Sequence, residues 1–238
     1  MAKPATRPRP SPPRRVRIAP KVALAFSRAI RRWYRANARD LPWRNTRDPY
    51  RVLVSELMLQ QTQVSRVLLK YDEFLDRFPT LGDVAKARSG RVMEAWSGLG
   101  YYARARNLHA LAREVTDGGR LASGTLPPEP EQLQMLPGIG AYTAGAVASF
   151  AYERRAALVD TNVGRVLRRV FSPKTDHKSP RGSRVIWEIA EQVLPRTGSA
   201  AWTHNQGLME LGALVCTARV MHCGRCPVSH LCRSAPRA

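Results

Sequence analysis

LPGIGAYTAGAVASF, residues 136–150 of this 238-residue sequence, contains a short glycine pattern between two segments predicted to be helical. Its two glycines, Gly138 and Gly140, follow a proline and precede a segment predicted to be helical from about Ala141. Glycine tolerates positive φ and has no side chain to block a close backbone approach. Because backbone N–H groups at a helix N-terminus bind anions, the stretch predicts a helix-hairpin-helix that grips a phosphate backbone. The alternative interpretation is an ordinary tight turn between packed helices.

The chain on both sides of this hairpin is predicted to be helical. Apolar residues recur at helical spacing over 21–38, and a helical stretch over 48–78 opens with Asp48 as N-cap and Pro49 at its first position. Strand-like alternation is nearly absent, so the predicted fold class is all-α. Further helices are predicted at about 91–97, 102–117, 129–135, 141–151, 162–171, 183–195 and 203–215.

The charge of the chain indicates a polyanionic partner. Lys and Arg number 39 against 18 Asp and Glu, a net charge of +21, which favours nucleic acid. The alternative is a GC-rich genome, whose codons favour arginine. Residues 1–20 carry six basic residues, six prolines and no acid, and are predicted to form a disordered basic tail. The sequence has no apolar run of the roughly 20 residues that span a membrane and no export signal, so a cytoplasmic protein is expected.

All the cysteines of the chain lie near its C-terminal end, with the spacing C-x6-C-x2-C-x5-C. Cytosolic thiols stay reduced, so a metal site is favoured over disulfides. The spacing alone leaves a structural zinc ion and an iron–sulfur cluster as alternatives. The four candidate ligands are Cys216, Cys223, Cys226 and Cys232.

Two acidic residues are candidates for catalysis. Glu56 interrupts the apolar run 52–59, where burial would raise the pKa of its carboxyl and make it a proton donor near neutral pH. Asp160 lies 20 residues after Gly140 and directly before a predicted helix. Two carboxylates in unlike environments divide the acid and stabilising roles in glycosidic bond cleavage. The plain alternatives are a solvated or ion-paired Glu56 and an Asp160 that only caps its helix.

These motifs, in this order, resemble the helix-hairpin-helix DNA glycosylases of the endonuclease III superfamily. LPWRNTRDPYRVLVSELMLQQTQV, WSGLGYYARARNLH and MELGALVCTAR are similar to its adenine DNA glycosylase (MutY-type) branch in particular. The resemblance extends over about residues 21–233 and implies two lobes. One is a six-helix barrel, 43–154, that contains the hairpin; the other combines 21–42 with 155–238 and holds a [4Fe–4S] cluster on the four cysteines.

The resemblance implies removal of adenine from double-stranded DNA, opposite guanine or 8-oxoguanine. Glu56 aligns with the acid that protonates adenine at N7, and Asp160 with the carboxylate that stabilises the sugar cation. Tyr142 and Asn162 line the same side. Contacts to the duplex or the extruded base are implied for Trp43, Arg44, Leu59, Gln61, Tyr101, Gly138, Gly140 and Gln206. The alternatives are surface amides for the two glutamines and core packing for Tyr101.

Two departures from relatives shape the expected activity. Bifunctional relatives place a lysine where this chain has Tyr142, so the resemblance implies a monofunctional, monomeric glycosylase that leaves the abasic site uncut. Fuller relatives continue into a Nudix-like domain that recognises 8-oxoguanine, whereas this chain ends at Ala238. The expectation is a short form with weaker selection of 8-oxoguanine over guanine, or one whose tail or partner protein takes over that task.

Three other functions stay open at this point. A T·G or U·G mismatch glycosylase of the same superfamily would share the glutamate, tyrosine and aspartate at these positions. A non-catalytic DNA-binding module would keep the fold and the cluster. A zinc-binding regulator would use the cysteines without a cluster.

Overall fold

The protein is described here from a computed structural model, which covers residues 16–117 and 123–236. These residues are almost entirely helical, and their only strand-like pairing is an isolated bridge between Cys216 and Met221. The all-α prediction is therefore confirmed. The helices are α1 Pro20–Asn37, α2 Pro49–Leu59, α3 Val64–Leu68, α4 Tyr71–Arg77, α5 Leu81–Lys86, α6 Ser89–Ala95, α7 Ala103–Thr116, α8 Pro130–Leu133, α9 Ala141–Phe150, α10 Thr161–Phe171, α11 Pro180–Val193 and α12 Gly198–Leu214.

The helices pack in two groups. Helix α1 lies against α11 and α12, and α10 packs on the same two helices. Helix α2 contacts α3, α4, α7 and α9, while α5 and α6 pack on α7 and α8 packs on α9. Helix α9 also touches α12, which joins the groups. The lobe boundaries, 43–154 against 21–42 with 155–238, stay a prediction that this packing supports.

Helix α2 is the central element beneath the candidate site. Its predicted N-cap is confirmed, because the Asp48 carboxylate accepts hydrogen bonds from the backbone N–H groups of Tyr50 and Arg51 at 2.8 and 3.1 Å. Residues 52–58 are all buried, as expected of a helix that is apolar on every face. The helix ends at Leu59 instead of continuing, so the helical stretch predicted over 48–78 is divided into three helices.

Helix α10 shows why the group of α1, α10, α11 and α12 holds together. Its sequence TNVGRVLRRVF places Val163, Val166, Leu167 and Val170 on a buried face. Its arginines lie on the other face, and this amphipathic pattern matches the predicted helix. Helix α12 begins five residues before the predicted 203, because the Thr197 hydroxyl accepts a hydrogen bond from the Ala200 N–H and caps it there.

The predicted tail, residues 1–20, lies mostly outside the described residues. Its last part differs from the prediction, because Val16 and Ile18 pack against the core. The Gln192 amide accepts a hydrogen bond from the Ile18 N–H and donates one to the Val16 carbonyl. No described helix is long and apolar enough to span a bilayer.

Candidate active site

A cavity of about 710 Å³ opens where α2, α9, the start of α10 and α12 meet. Of the twelve predicted base-handling and catalytic residues, Tyr101 and the two hairpin glycines lie outside its lining. The lining contains the predicted residues Trp43, Arg44, Glu56, Leu59, Gln61, Tyr142, Asp160, Asn162 and Gln206. Residues spread over more than 160 positions of sequence thus form one site.

Glu56 lies in the middle of α2 and is only 4% exposed, which rules out the solvated alternative. Burial raises the pKa of its carboxyl from 4.5 to about 7, and the nearby charge of Asp160 adds to the increase. A hydrogen bond from Tyr142 and the charge of Arg44 act in the opposite direction. A carboxyl with this pKa is protonated in part of the molecules at neutral pH and is a suitable general acid.

Tyr142 stands in the first turn of α9 and donates a hydrogen bond of 2.6 Å from its hydroxyl to Oε2 of Glu56. Burial raises the pKa of this phenol well above its ordinary value, as do the charges of Glu56 and Asp160. The phenol therefore stays protonated and acts as a donor that fixes the orientation of the glutamate.

Asp160 caps α10 and also faces the cavity. Its Oδ1 accepts a hydrogen bond of 2.7 Å from the Val163 N–H, and its Oδ2 accepts one of 3.1 Å from the Asn162 amide. Burial raises the pKa of the carboxyl, and these hydrogen bonds partly offset that effect because they favour the charged form. The capping interpretation and the catalytic one are therefore compatible, since one oxygen caps while the group lines the cavity.

Another part of the cavity lining is a hydrogen-bonded row of polar side chains around Arg44. The Arg44 guanidinium donates to Gln206 Oε1 at 3.1 Å and to Glu210 Oε2 at 2.7 Å. Gln206 is 5% exposed, so the surface-amide alternative is wrong for this residue. Trp43, 7% exposed, is fixed beside this row by an edge-to-face contact with Tyr71. The row is suited to recognising the hydrogen-bonding edge of a flat heterocycle.

Glu210 and Arg39 are two cavity residues that the sequence analysis missed. Glu210 is fully buried and accepts hydrogen bonds from the Arg39 guanidinium at 2.8 Å through each oxygen. Burial favours the neutral form, but the bonds from Arg39 and Arg44 outweigh it and lower the pKa to about 2. The signal was present, because Glu210 interrupts the apolar stretch MELGAL just as Glu56 interrupts its own.

The predicted hairpin links α8 to α9 as the sequence indicated. Gly138 has a φ of 76°, and a Cβ there would lie 2.5 Å from the Asn107 side chain, so the position requires glycine. Gly140 does not have the positive φ for which glycine is suited. Its φ is −90°, in the ordinary extended range, and it precedes α9 as the N-cap. A Cβ at Gly140 would meet no atom within 4 Å. The space in front of it is open to an approaching backbone.

Gln61 and Tyr101 lie on two exposed turns. Both adopt a positive φ, 55° and 47° respectively, which is uncommon for residues other than glycine. Tyr101 is 58% exposed, so the core-packing alternative is wrong. Gln61 is also exposed and borders the cavity.

The four cysteines line one common cavity in the C-terminal loop. Burial raises the pKa of Cys226 to about 11, and the other three thiols contribute to the increase through their charges. Arg169 donates a hydrogen bond of 3.2 Å to Sγ of Cys216. Four thiols around one cavity, with a cation beside them, fit a group that binds thiolates. Within the described residues no three such side chains converge on a site for a single metal ion.

Arg165 connects the cysteine loop to the cavity. Its guanidinium donates to the Asn162 side chain and to the Gly212 carbonyl, both at 2.7 Å. The same side chain donates to the Cys216 carbonyl at 2.9 Å. Since Asn162 contacts Asp160, the position of this carboxylate depends on the fold of the cysteine loop.

The all-α fold with its hairpin, and the cavity lined by the carboxyl groups of Glu56 and Asp160, agree with the result of a comparison with protein-family models. Residues 54–192 match the model described as "HhH-GPD superfamily base excision DNA repair protein". The chain therefore belongs to this superfamily. Solved structures show the same fold: a thermostable thymine-DNA glycosylase aligns with a TM-score of 0.81 at 32% identity, over 90% of this chain and 97% of that one. An endonuclease III–DNA complex aligns with a TM-score of 0.75 at 22% identity, covering 92% of this chain and 98% of that one.

Within the superfamily the chain is similar to curated adenine DNA glycosylases. It is 42% identical to that of Homo sapiens over 222 residues, 90% of this chain and 40% of the relative. It is 43% identical to that of Mycobacterium tuberculosis (strain ATCC 25618 / H37Rv) over 197 residues, 82% of this chain and 63% of the relative. It is also 43% identical to that of Rattus norvegicus over 222 residues, 90% of this chain and 42% of that protein. The chain thus spans about two fifths of the length of its mammalian relatives.

Proposed function

We propose that this protein is a base excision repair glycosylase that extrudes adenine from double-stranded DNA and hydrolyses its N-glycosidic bond, the adenine being mispaired with guanine or 8-oxoguanine. The observation that carries the proposal is the single cavity that holds a buried, protonatable Glu56 and a second carboxylate, Asp160. The identity of over 40% with curated adenine DNA glycosylases supports adenine as the base.

The reaction follows from the charges that develop. Glu56 donates its proton to N7 of the extruded adenine, because an adenine anion is a poor leaving group. As the bond breaks, the sugar gains cationic character, which the negative charge of Asp160 stabilises. Water then adds to C1′ of this cation and gives up a proton to the carboxylate of Glu56, which completes the hydrolysis. Tyr142 keeps Glu56 aligned through its 2.6 Å hydrogen bond. The row of Trp43, Arg44 and Gln206 binds the base, and hydrolysis leaves an intact abasic strand because no lysine occupies the position of Tyr142.

The basic surface and the hairpin account for DNA binding in the same proposal. A net charge of +21 favours a phosphate backbone, and the open space at Gly140 lets a backbone approach the N-terminus of α9. We infer a monomer that works in the cytoplasm, beside the DNA. Duplex binding should weaken steeply as salt is raised, because phosphate contacts release counterions.

A [4Fe–4S] cluster on Cys216, Cys223, Cys226 and Cys232 belongs to this proposal. The cavity that the four thiols share supports it, and a structural zinc ion on the same thiols is the alternative. When bound, the cluster would supply structural cross-linking of the loop and no bond cleavage. Iron and sulfide analysis of the purified protein, with its visible absorption spectrum, tests the assignment, and a colourless protein that contains zinc would contradict it.

A panel of duplexes tests the activity. The protein is incubated with A·G, A·8-oxoguanine and T·G duplexes, and each strand is analysed with and without alkali. Adenine release with strand cleavage only after alkali is expected. Glu56→Gln serves as the inactive control, and exposed Glu94→Gln, 65% exposed at its side chain, as the matched active one.

Thymine is the second candidate base. The structural match to a thymine-DNA glycosylase at 32% identity, over nearly its whole length, favours this alternative. Release of thymine but not adenine in the panel would establish it. Tight binding of all duplexes without release of any base would instead indicate a DNA-binding module.

A further inference from the structure

Arg104 is a buried arginine whose guanidinium is hydrogen-bonded to uncharged oxygen atoms. It lies in the first turn of α7 and is only 6% exposed. Within the described residues its guanidinium makes no ion pair, and burial lowers its pKa. Burying a cation is costly unless its donors are satisfied. Its hydrogen bonds must therefore compensate for that cost.

Those hydrogen bonds go to two separate turns. Nη1 donates to the carbonyls of Leu57, Met58 and Gln60 at 2.7, 2.8 and 2.7 Å. These oxygens are the ones that lose their helical partners where α2 ends. Nη2 donates to the carbonyls of Leu99 and Gly100 at 3.0 and 2.9 Å.

One further group links the turns directly. The Thr62 hydroxyl accepts a bond of 3.2 Å from Arg104, and its one proton is within reach of the carbonyls of both Leu99 and Gln60, each at 3.3 Å. The turn 60–62 and the turn 99–101 are thus joined through one guanidinium and one hydroxyl. The residues are some 40 positions apart in sequence, so no local rule joins them.

Each turn presents one outward side chain on a strained backbone. Gln61 and Tyr101 both have positive φ, a conformation that costs on the order of 1–3 kcal/mol and persists only where the surroundings impose it. The Arg104 guanidinium also lies 5.5 Å from the centre of the Tyr101 ring. Neither side chain is held by core packing, so the turns themselves fix where they point.

We propose that Arg104 is a positioning residue, which locks the turns 60–62 and 99–101 into one rigid element that inserts Gln61 and Tyr101 into the duplex. The inference rests on the proposed function. Without these hydrogen bonds the two turns would have to be ordered each time the protein binds DNA. The conformational entropy lost in that ordering would make base extrusion less favourable and leave the chemical step unchanged. The role of Arg104 is therefore separate from that of Glu56.

Arg104→Lys tests the inference, because lysine keeps the charge but cannot span both turns. The matched control is Arg113→Lys on the same helix, where the side chain is 62% exposed and paired with Asp117. Extrusion is followed with a duplex in which 2-aminopurine, fluorescent when unstacked, replaces the target adenine. We expect Arg104→Lys to reduce extrusion about tenfold or more, since charged hydrogen bonds are lost, and the control to match the wild type.

Two further measurements separate positioning from general damage. Amide hydrogen exchange should accelerate at 60–62 and 99–101 while α9 and α12 stay protected. The pH dependence of the remaining adenine release should be unchanged, because Glu56 is untouched. Wild-type extrusion by Arg104→Lys, or unaltered exchange at the two turns, would overturn the inference.

Thr62→Val is a less disruptive substitution that tests the same inference if the Arg104→Lys variant does not fold. It removes the linking hydroxyl at nearly constant volume, so extrusion should fall severalfold, and Thr62→Ser should restore most of it. Equal extrusion by the valine and serine variants would refute the lock. If the wild type releases no adenine from any duplex, the proposed function fails, whereas the fluorescence and exchange experiments still decide the role of Arg104.

Discussion

The hydroxyl of Tyr142 donates a hydrogen bond of 2.6 Å to the carboxylate of Glu56, although the two residues are 86 positions apart in the sequence and lie on different helices. The bond reaches a carboxyl whose pKa burial has raised to about 7. Burial makes the carboxyl a proton donor, and the phenol limits that effect because it stabilises the charged form. The pair therefore sets both the direction in which the acid points and the pH at which it works.

Glu56→Gln should abolish adenine release while preserving duplex binding. The amide has the same shape and still accepts from Tyr142, but it has no acidic proton to transfer to adenine. A loss of at least about a hundredfold in single-turnover rate is expected for a general acid. Rapid-quench assays measure the rate and gel shifts the affinity. Release at the wild-type rate would remove Glu56 from the mechanism.

The same substitution should stabilise the protein at alkaline pH. The pKa of Glu56 is about 7 in the folded state against an ordinary value of 4.5, so the folded state binds more protons between these pH values. The free energy of unfolding therefore falls as pH rises through that window, in total by about 3 kcal/mol. At pH 8 Glu56→Gln should exceed the wild type by up to that amount in urea denaturation, and at pH 4 the two should converge. Equal stability at both pH values would contradict the burial of the charge.

Tyr142→Phe should shift the pH profile of adenine release. Removing the hydrogen bond that favours the charged form raises the pKa of Glu56 further, so activity should persist to higher pH before it declines. The matched control is Tyr50→Phe, which removes a buried hydroxyl that donates to the Phe78 carbonyl from the same helix as Glu56. Initial rates between pH 5 and 9 measure the shift, and a downward shift would refute it.

Asp160→Asn separates the two roles of this residue. Asparagine caps helices as well as aspartate, so α10 should keep its cap and the melting temperature should change little. The loss of negative charge should lower the rate of adenine release by about two orders of magnitude or more. Asp48→Asn, the equivalent change at the cap of α2, serves as control and should keep full activity. An active Asp160→Asn variant would leave only the capping role.

The features that sequence predicted well are those with local causes. Asp48 and Asp160 precede helices and cap them, and the apolar run on either side of Glu56 made a buried carboxyl one of the alternatives, which the structure favours over a solvated one. Distant pairings had no such signal. Arg39 reaches Glu210 over 171 positions, and the carbonyls that end α2 depend on Arg104, more than 40 positions away. The apolar periodicity of 48–78 predicted one continuous helix, whereas the structure has three. Periodicity describes which side chains are buried and carries no information on where backbone carbonyls bond to a distant side chain instead of to the next helical turn.

Alanine substitutions at the two hairpin glycines should have different effects, because the surroundings of Gly138 and Gly140 differ. Gly138→Ala should destabilise the fold, since its φ is 76° and its new methyl would meet Asn107. Gly140→Ala should fold with a loss of about 0.5–1 kcal/mol, because glycine is the better N-cap, while the φ of Gly140 is ordinary and nothing lies within 4 Å. Its methyl would nevertheless stand where a DNA backbone approaches, so duplex affinity should fall about tenfold, the value of one or two phosphate hydrogen bonds. Fluorescence anisotropy at fixed salt measures the affinity; unchanged binding by a folded Gly140→Ala variant would reduce the hairpin to an ordinary turn.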